Sequence, residues 1–358
     1  MLTNYARTLR QFNRNVRLYL LATGLLGFAF DGGVYTVLFN LYLLRLGFGP
    51  EYIGQVNSAG LLGFALASLP AGALGSRFGN RRMMVLGLLL IMTGGLGLPL
   101  AEQLPRAWLG AGLLIAYVTS FVGLALYFVN SVPFAMDITT PEERNHAFSM
   151  QTALLALAAF SGALVGGLLP RLVATVMGID QQQPAPYRLP LVFAATLMAL
   201  ALWAILRTRV QVQEATPEEV APSENAREAA PVRRWGWESA VVMTLLLLST
   251  VRFFQVAGVG VVVTFFNVYL DTALRAPTAQ IGALTALARL MAVPAALITP
   301  VLAARWGAPR TVVWASAATT LSLLPLALAP YWVAAGLGLM GVTAFSSMRY
   351  PAYLVYSM

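Results

Sequence analysis

Asp31, Arg252, Arg289 and Arg349 each fall inside a long apolar block of the chain. A charged side chain at the centre of a bilayer costs at least about 2.5–3.5 kcal/mol on insertion scales. Such residues persist where they pair, line a wet cavity or carry out chemistry. A carboxylate in that setting can take up and release a proton. Burial favours its neutral form and a nearby arginine favours its charged form, so a change of conformation that alters both moves the proton from one side to the other. Arginines in the same setting can receive an anion. Other polar residues recur with these charges at helical spacing: Asp31 with Tyr35 and Tyr42, Arg252 with Gln255, and Arg349 with Tyr353. Asn130 stands between Tyr127 and Phe134 in the same way. Polar handles among aromatics are what a cavity wall needs. A buried set of interhelical hydrogen bonds is the alternative for each of them, and Arg289 reads equally well as a structural counter-ion.

Depth bears on whether Asp31 can pair. Asp31 lies 13 residues beyond Leu18 and Arg252 13 beyond Ser239, which sets both at about 20 Å along their helices. Counted from Asn40 and Asn267, which occupy matching places in a repeat described below, Asp31 is 9 residues away and Arg252 is 15. That count puts Arg252 about 9 Å nearer the start of its helix. It leaves Arg289 as a candidate partner for Asp31.

The elements that must hold these residues are membrane helices. Of 358 residues, 58% are hydrophobic and 10% charged, with a mean hydropathy of +0.72. Soluble domains carry about a quarter charged residues. Each apolar block is about 20 residues or more, the length an α-helix needs to cross the hydrocarbon core. Ten spans are expected, at roughly 18–44, 52–75, 83–101, 107–136, 147–170, 189–206, 239–270, 279–304, 311–328 and 331–357. The chain has no cysteine, hence no disulfide and no thiolate metal site. Its net charge of +9 reads as topology rather than as nucleic-acid binding. With the N-terminus in the cytoplasm, loop and terminal arginines fall there about three times as often as on the opposite side. Arg7, Arg10, Arg14 and Arg17 share one face of a short interfacial helix that can meet anionic headgroups. The expected location is a cell membrane crossed many times, with the N-terminus and the linker cytoplasmic.

The polar stretch 207–236 contains three prolines and a run of glutamates without apolar periodicity. It reads as a cytoplasmic linker. It divides the chain into 1–206, a bundle of six helices, and 237–358, a bundle of four. The two parts repeat one another. FNLYL at Phe39–Leu43 matches FNVYL at Phe266–Leu270; Ile53 matches Ile281; Arg77, Gly79 and Arg82 match Arg305, Gly307 and Arg310. Order is kept with one residue of slippage. Internal repeats of this kind are an architecture of secondary transporters.

With these residues in view, the chain resembles the major facilitator superfamily. GALGSRFGNRR, residues 72–82, is similar to that family's loop between spans two and three, G-x-L-x-D-R-x-G-R-[KR]. Gly72, Leu74, Arg77, Gly79 and Arg81 match, and Arg82 follows; Ser76 replaces the aspartate and Asn80 the first basic residue. In the family this loop latches the two halves through charge and helix-end contacts. Gly162, Gly166 and Gly167 resemble its span-five motif G-P-x-x-G-G, with Ala163 in place of proline, a motif associated with antiport. The resemblance implies an all-α membrane protein, a two-bundle helical transporter of about ten transmembrane helices (six plus four). It implies that spans one, four, seven and ten face a central cavity. Asp31, Tyr35, Asn130, Arg252, Gln255, Arg349 and Tyr353 would then line it, with Arg289 near. It further implies a small-molecule cargo; the buried carboxylate of Asp31 makes protons the expected coupling ion, and no cofactor is expected. The excess of buried arginine over buried aspartate suits an anionic cargo. The family plan has twelve spans, and the last two have no counterpart before Met358. A ten-span carrier and a fragment of a longer one both fit that.

Other classes fit less well. His146 is the sole histidine, and Glu142 and Glu143 are adjacent, so on a helix they face different ways. No Cys/His cluster and no GxxxxGK[ST] loop occurs, so an enzyme is not expected. A channel would need a filter segment, and none is recognisable. A membrane binding or assembly protein derived from a carrier remains the third alternative.

Overall fold

The computed structural model describes residues 13–209, 239–328 and 331–357. The side chains of Arg252, Arg349 and Tyr353 lie outside the described residues, as do Arg7, Arg10 and the expected linker from residue 210 onward. Among the described residues every regular element is an α-helix: α1 (Arg14–Ala29), α2 (Val34–Arg45), α3 (Pro50–Phe78), α4 (Asn80–Ala101), α5 (Arg106–Ile138), α6 (Pro141–Met177), α7 (Ala185–Leu206), α8 (Ser239–Thr272), α9 (Thr278–Trp306), α10 (Ala308–Leu321), α11 (Leu323–Leu328) and α12 (Trp332–Ser357). All ten expected spans have a counterpart, span one as α1 with α2 and span nine as α10 with α11. Eight stretches are long and apolar enough to cross a bilayer by length and composition, and Trp332–Met348 within α12 is a shorter apolar one.

The helix ends follow from local chemistry. Asn13 caps α1, its Oδ1 accepting the Val16 N–H at 3.0 Å. Pro50 and Pro141 open α3 and α6, where a missing N–H costs nothing. Gly79 closes α3 and opens α4 with φ +93°; its repeat partner Gly307 joins α9 to α10 with φ +83°. Side chains rarely adopt that backbone, so glycine in both halves permits the same abrupt corner. Leu69 on α3 and Val176 on α6 are 80% and 79% exposed, as lipid-facing positions are in a chain whose outer surface meets hydrocarbon.

Helices α1–α7 pack among themselves, chiefly α4 and α3 on α5, α1 on α6 and α7, and α4 on α7; in the second bundle α9 and α10 pack on α12. The two bundles meet mainly where α6 lies against α9 and where α2 and α3 meet α8. Small residues make the first seam close: a Cβ on Gly282 would sit 2.6 Å from the Gly167 Cα and 2.6 Å from the Ala163 carbonyl.

One expectation fails. Span one is not a continuous helix, because α1 stops at Ala29 and α2 begins at Val34. The expected single face through Asp31, Tyr35 and Tyr42 therefore does not extend across the break. The cause is the run Asp31-Gly32-Gly33. Glycine in a helix interior costs about 1 kcal/mol relative to alanine, and Gly32 turns to φ +89°. The freed backbone is re-satisfied locally. Asp31 N–H donates to the Leu26 carbonyl at 3.0 Å and Gly32 N–H to Thr36 Oγ1 at 3.1 Å, while Thr36 Oγ1 donates to the Phe30 carbonyl at 3.2 Å.

Candidate functional site: a cavity between the bundles

The break opens onto a cavity of about 570 Å³ between the bundles. Its wall combines aromatics (Phe30, Tyr35, Phe39, Tyr117 among them) with polar groups (Asn40, Asn57, Gln255). Asp31 from the first bundle and Arg289 on α9 of the second are the charged residues that line it among those described. Both are half-buried. Among the described residues neither enters an ion pair, and neither side chain makes a hydrogen bond. Arg289 is seated on the break itself: a Cβ at Gly32 would lie 3.0 Å from its Nε and 3.1 Å from its Cζ. Gly32 thus supplies both the backbone turn and the room for the guanidinium. Opposite charges from the two bundles reach the same chamber without neutralising each other.

Tyr35 and Gln255 line the cavity as expected. The Tyr35 hydroxyl lies 3.0 Å from the Gly95 carbonyl and 3.2 Å from the Leu191 carbonyl, and its ring stacks on Phe30 at 4.0 Å. That side chain is held in place from behind. Asn130 is buried away from the cavity: its Nδ2 donates to the Ala71 carbonyl at 3.2 Å and the Leu126 carbonyl at 2.8 Å, and its Oδ1 lies where Gly75 leaves room. It ties α5 to α3. Arg252, Arg349 and Tyr353 lie on α8 and α12 with side chains outside the described residues.

Sequence reading missed the polar contacts that close one end of the cavity, the end that carries Arg45. Asn40 Nδ2 donates to the Thr264 carbonyl on α8 at 2.7 Å. Asn267 Nδ2 donates back to the Thr36 carbonyl at 2.8 Å and the Val37 carbonyl at 3.2 Å. Each asparagine thus reaches the turn preceding its partner. The second layer repeats too: Asn57 Nδ2 donates to Asn40 Oδ1 at 2.9 Å, and Thr285 Oγ1 to Asn267 Oδ1 at 3.4 Å. Asn57 and Thr285 each stand four residues after the matched Ile53 and Ile281, both fully buried. Further out, Arg45 meets Asp271 with two hydrogen bonds, Nη1 to Oδ2 at 2.8 Å and Nη2 to Oδ1 at 2.6 Å. Each side chain is 11% exposed. Arg45 Nη2 also reaches the Tyr187 hydroxyl at 3.2 Å, and that hydroxyl is 3.1 Å from Thr278 Oγ1 at the head of α9. The repeat held a signal for this ion pair. Arg45 and Asp271 lie five and four residues after the matched asparagines and carry opposite charge. Tyr42, expected beside Asp31, instead donates to Glu102, which also accepts from Arg188 Nη1 at 2.8 Å.

The expected loop motif lies at the opposite end. Gly72, Arg77, Gly79, Arg82, Arg305, Gly307 and Arg310 are exposed there, and Leu74 and Arg81 are half-buried. Arg81 donates from Nε to the Ile205 carbonyl at 3.2 Å and from Nη2 to the Leu206 carbonyl, so it caps α7 inside its own bundle. Of the span-five glycines, Gly162 lets α6 approach the Phe28 backbone of α1, Gly166 faces Val34 and Gly167 faces Gly282. They make one seam running from the first bundle to the second.

Two sets of apolar helices, carrying repeated glycine corners and repeated asparagines around one charged chamber, define a class of α-helical membrane protein with an internally repeated plan. The Major Facilitator Superfamily model matches residues 21–358, and the chain belongs to that family. Among similar proteins, an uncharacterized MFS-type transporter of Mycobacterium tuberculosis is 29% identical over 153 residues, which is 42% of this chain and 25% of that protein. The multidrug resistance protein MdtH of Photorhabdus laumondii is 30% identical over 154 residues, 38% of this chain and 37% of that protein. The matched stretch therefore spans well under two thirds of either relative. Two solved structures share the fold. The xylose transporter XylE from E. coli, inward open, has a TM-score of 0.69 at 13% identity, covering 96% of this chain and 82% of that one. A bacterial homolog of the human lysosomal transporter Spinster, inward-facing, has a TM-score of 0.66 at 18% identity, covering 96% and 75%.

Proposed function

We propose that the chain is a secondary transporter that moves a small molecule across the membrane by alternating access, with protons as the coupling ion. One observation carries the reading: Asp31, at the break in the first span, and Arg289, from the other bundle, line one cavity at the bundle interface without pairing. An intramembrane carboxylate in a chamber that changes its exposure can load a proton on one side and release it on the other. Arg289 serves as its variable neighbour and as the anchor for an anionic group on the cargo. Broken helices at the bilayer midplane are where carriers of several folds bind cargo and ions. The arginine bias favours a cytoplasmic Gly79 end, and on that orientation the closed Arg45 end faces outside. The span-five glycines and the similarity to a multidrug resistance protein favour export. No cofactor and no catalytic residue enters this scheme.

The test is transport into proteoliposomes under an imposed pH gradient, screened over small organic anions. Wild type accumulates its cargo against a gradient. Asp31→Asn loses proton-driven accumulation to background and keeps downhill exchange. Accumulation by that variant at the wild-type rate removes Asp31 from coupling. Arg289→Gln weakens uptake selectively for anionic cargo; equal loss for neutral and anionic compounds contradicts the anchor.

A further inference from the structure

A second recess lies away from the cavity, at the Gly79 end, where α1 and α4 begin and α7 ends. It holds about 540 Å³ and is lined by Arg14, Arg81, Leu206, Arg207, Thr208 and Arg209. Four arginines line it and no carboxylate is among the lining residues. None of the four enters an ion pair among the described residues. The geometry that gathers them is built. Asn15 holds the chain after α7 by both backbone groups of one residue, its Nδ2 donating to the Arg209 carbonyl at 2.7 Å and its Oδ1 accepting the Arg209 N–H at 3.0 Å. Arg81 is fixed on the last carbonyls of α7. Arg207 lies over the Trp203 ring at 5.8 Å. Like charges held together in this way repel unless an anion sits among them, and the planar forks of arginine match phosphate oxygens two at a time.

We propose that this recess binds a phosphate-bearing anion at the membrane surface. Its place at the ends of three membrane helices puts it at headgroup level, so an anionic phospholipid is the favoured source and free phosphate the other. The site stands apart from the transport cavity and does not depend on the assignment of cargo or coupling.

The test is thermal unfolding of the purified full chain in detergent, which needs neither transport nor a known orientation. Phosphatidylglycerol, phosphatidylcholine and inorganic phosphate are compared, the last against chloride at equal ionic strength. Phosphatidylglycerol is expected to raise the melting temperature by about 3 °C or more over phosphatidylcholine. The double variant Arg14→Gln/Arg209→Gln, both sites exposed, should lose most of that rise yet melt as wild type without lipid. Arg106→Gln/Arg171→Gln, two exposed arginines at the other end, should keep it. A rise with inorganic phosphate alone supports the site with a soluble source. No rise with either, or a rise unchanged in Arg14→Gln/Arg209→Gln, overturns the proposal. A rise that emerges only after Glu214, Glu218, Glu219, Glu224 and Glu228 are neutralised also overturns it, because the acidic linker then holds the recess.

Discussion

The two ends of the bundle interface are built from opposite chemistry. At the Arg45 end the bundles are tied by paired polar groups: asparagines reach across to each other's backbone, and outside them a two-bond ion pair joins α2 to α8, with Arg45 Nε and Gln280 Oε1 the buried atoms left unpartnered there among the described residues. Toward the Gly79 end, among the described residues, no side-chain hydrogen bond crosses between the bundles, and the two charges in the cavity stand unpaired. The difference separates two uses of polar residues in a membrane. Satisfied groups hold a conformation. Unsatisfied ones are left for something that arrives.

That contrast can be broken from either side. The largest effect is expected from Asp31→Asn, which takes gradient-driven accumulation to background while leaving the fold, read by melting temperature, within about 2 °C of wild type. Next is the ion pair. Asp271→Asn leaves Arg45 half-satisfied in a mostly buried site, a loss of about 3–5 kcal/mol from the state closed at that end. A shift of that size is at least about a hundredfold in population. It would be read as labelling, by a membrane-impermeant reagent added on the Arg45 side, of a single cysteine placed at Thr264 in the cavity wall, and because the chain has no native cysteine the background is zero. The exchange Arg45→Asp/Asp271→Arg should recover part of the closure. Gly282→Ala comes third. Its methyl group would press on Gly167 and the Ala163 carbonyl, a strain of about 1–3 kcal/mol, visible as a lower melting temperature and slower transport. The smallest effect is from Asn40→Ala or Asn267→Ala, about 0.6–1 kcal/mol each. If the asparagines act as one device, the double variant costs less than the sum of the two.

Much of this contrast was written in the sequence, though unevenly. Ten spans were legible because apolar length is a coarse signal that a bilayer enforces. The glycine corners at Gly79 and Gly307 were legible because a repeat marks positions where backbone shape, not side-chain identity, must be kept. Asp31 and Arg289 stood out because charge is rare in hydrocarbon. The break in span one was hidden: Gly32 and Gly33 read equally well as close-packing residues, and only their neighbours in space decide. Asn130 was misplaced for a related reason, since its spacing gives a face of α5 but not whether that face meets water or the backbone of α3. The ion pair Arg45–Asp271 lies 226 residues apart in sequence and emerges only when the repeat is folded on itself.

The central claim is that the two ends open in alternation around the Asp31 cavity. Spin-label distances test it directly, with one pair at Gln103→Cys and Thr272→Cys on the Arg45 end and another at Ser76→Cys and Arg305→Cys on the Gly79 end, each in wild type and in Asp271→Asn. The account predicts that Asp271→Asn lengthens the first distance and shortens the second in the same population of molecules. Two distances that stay fixed, or that lengthen together, would contradict it.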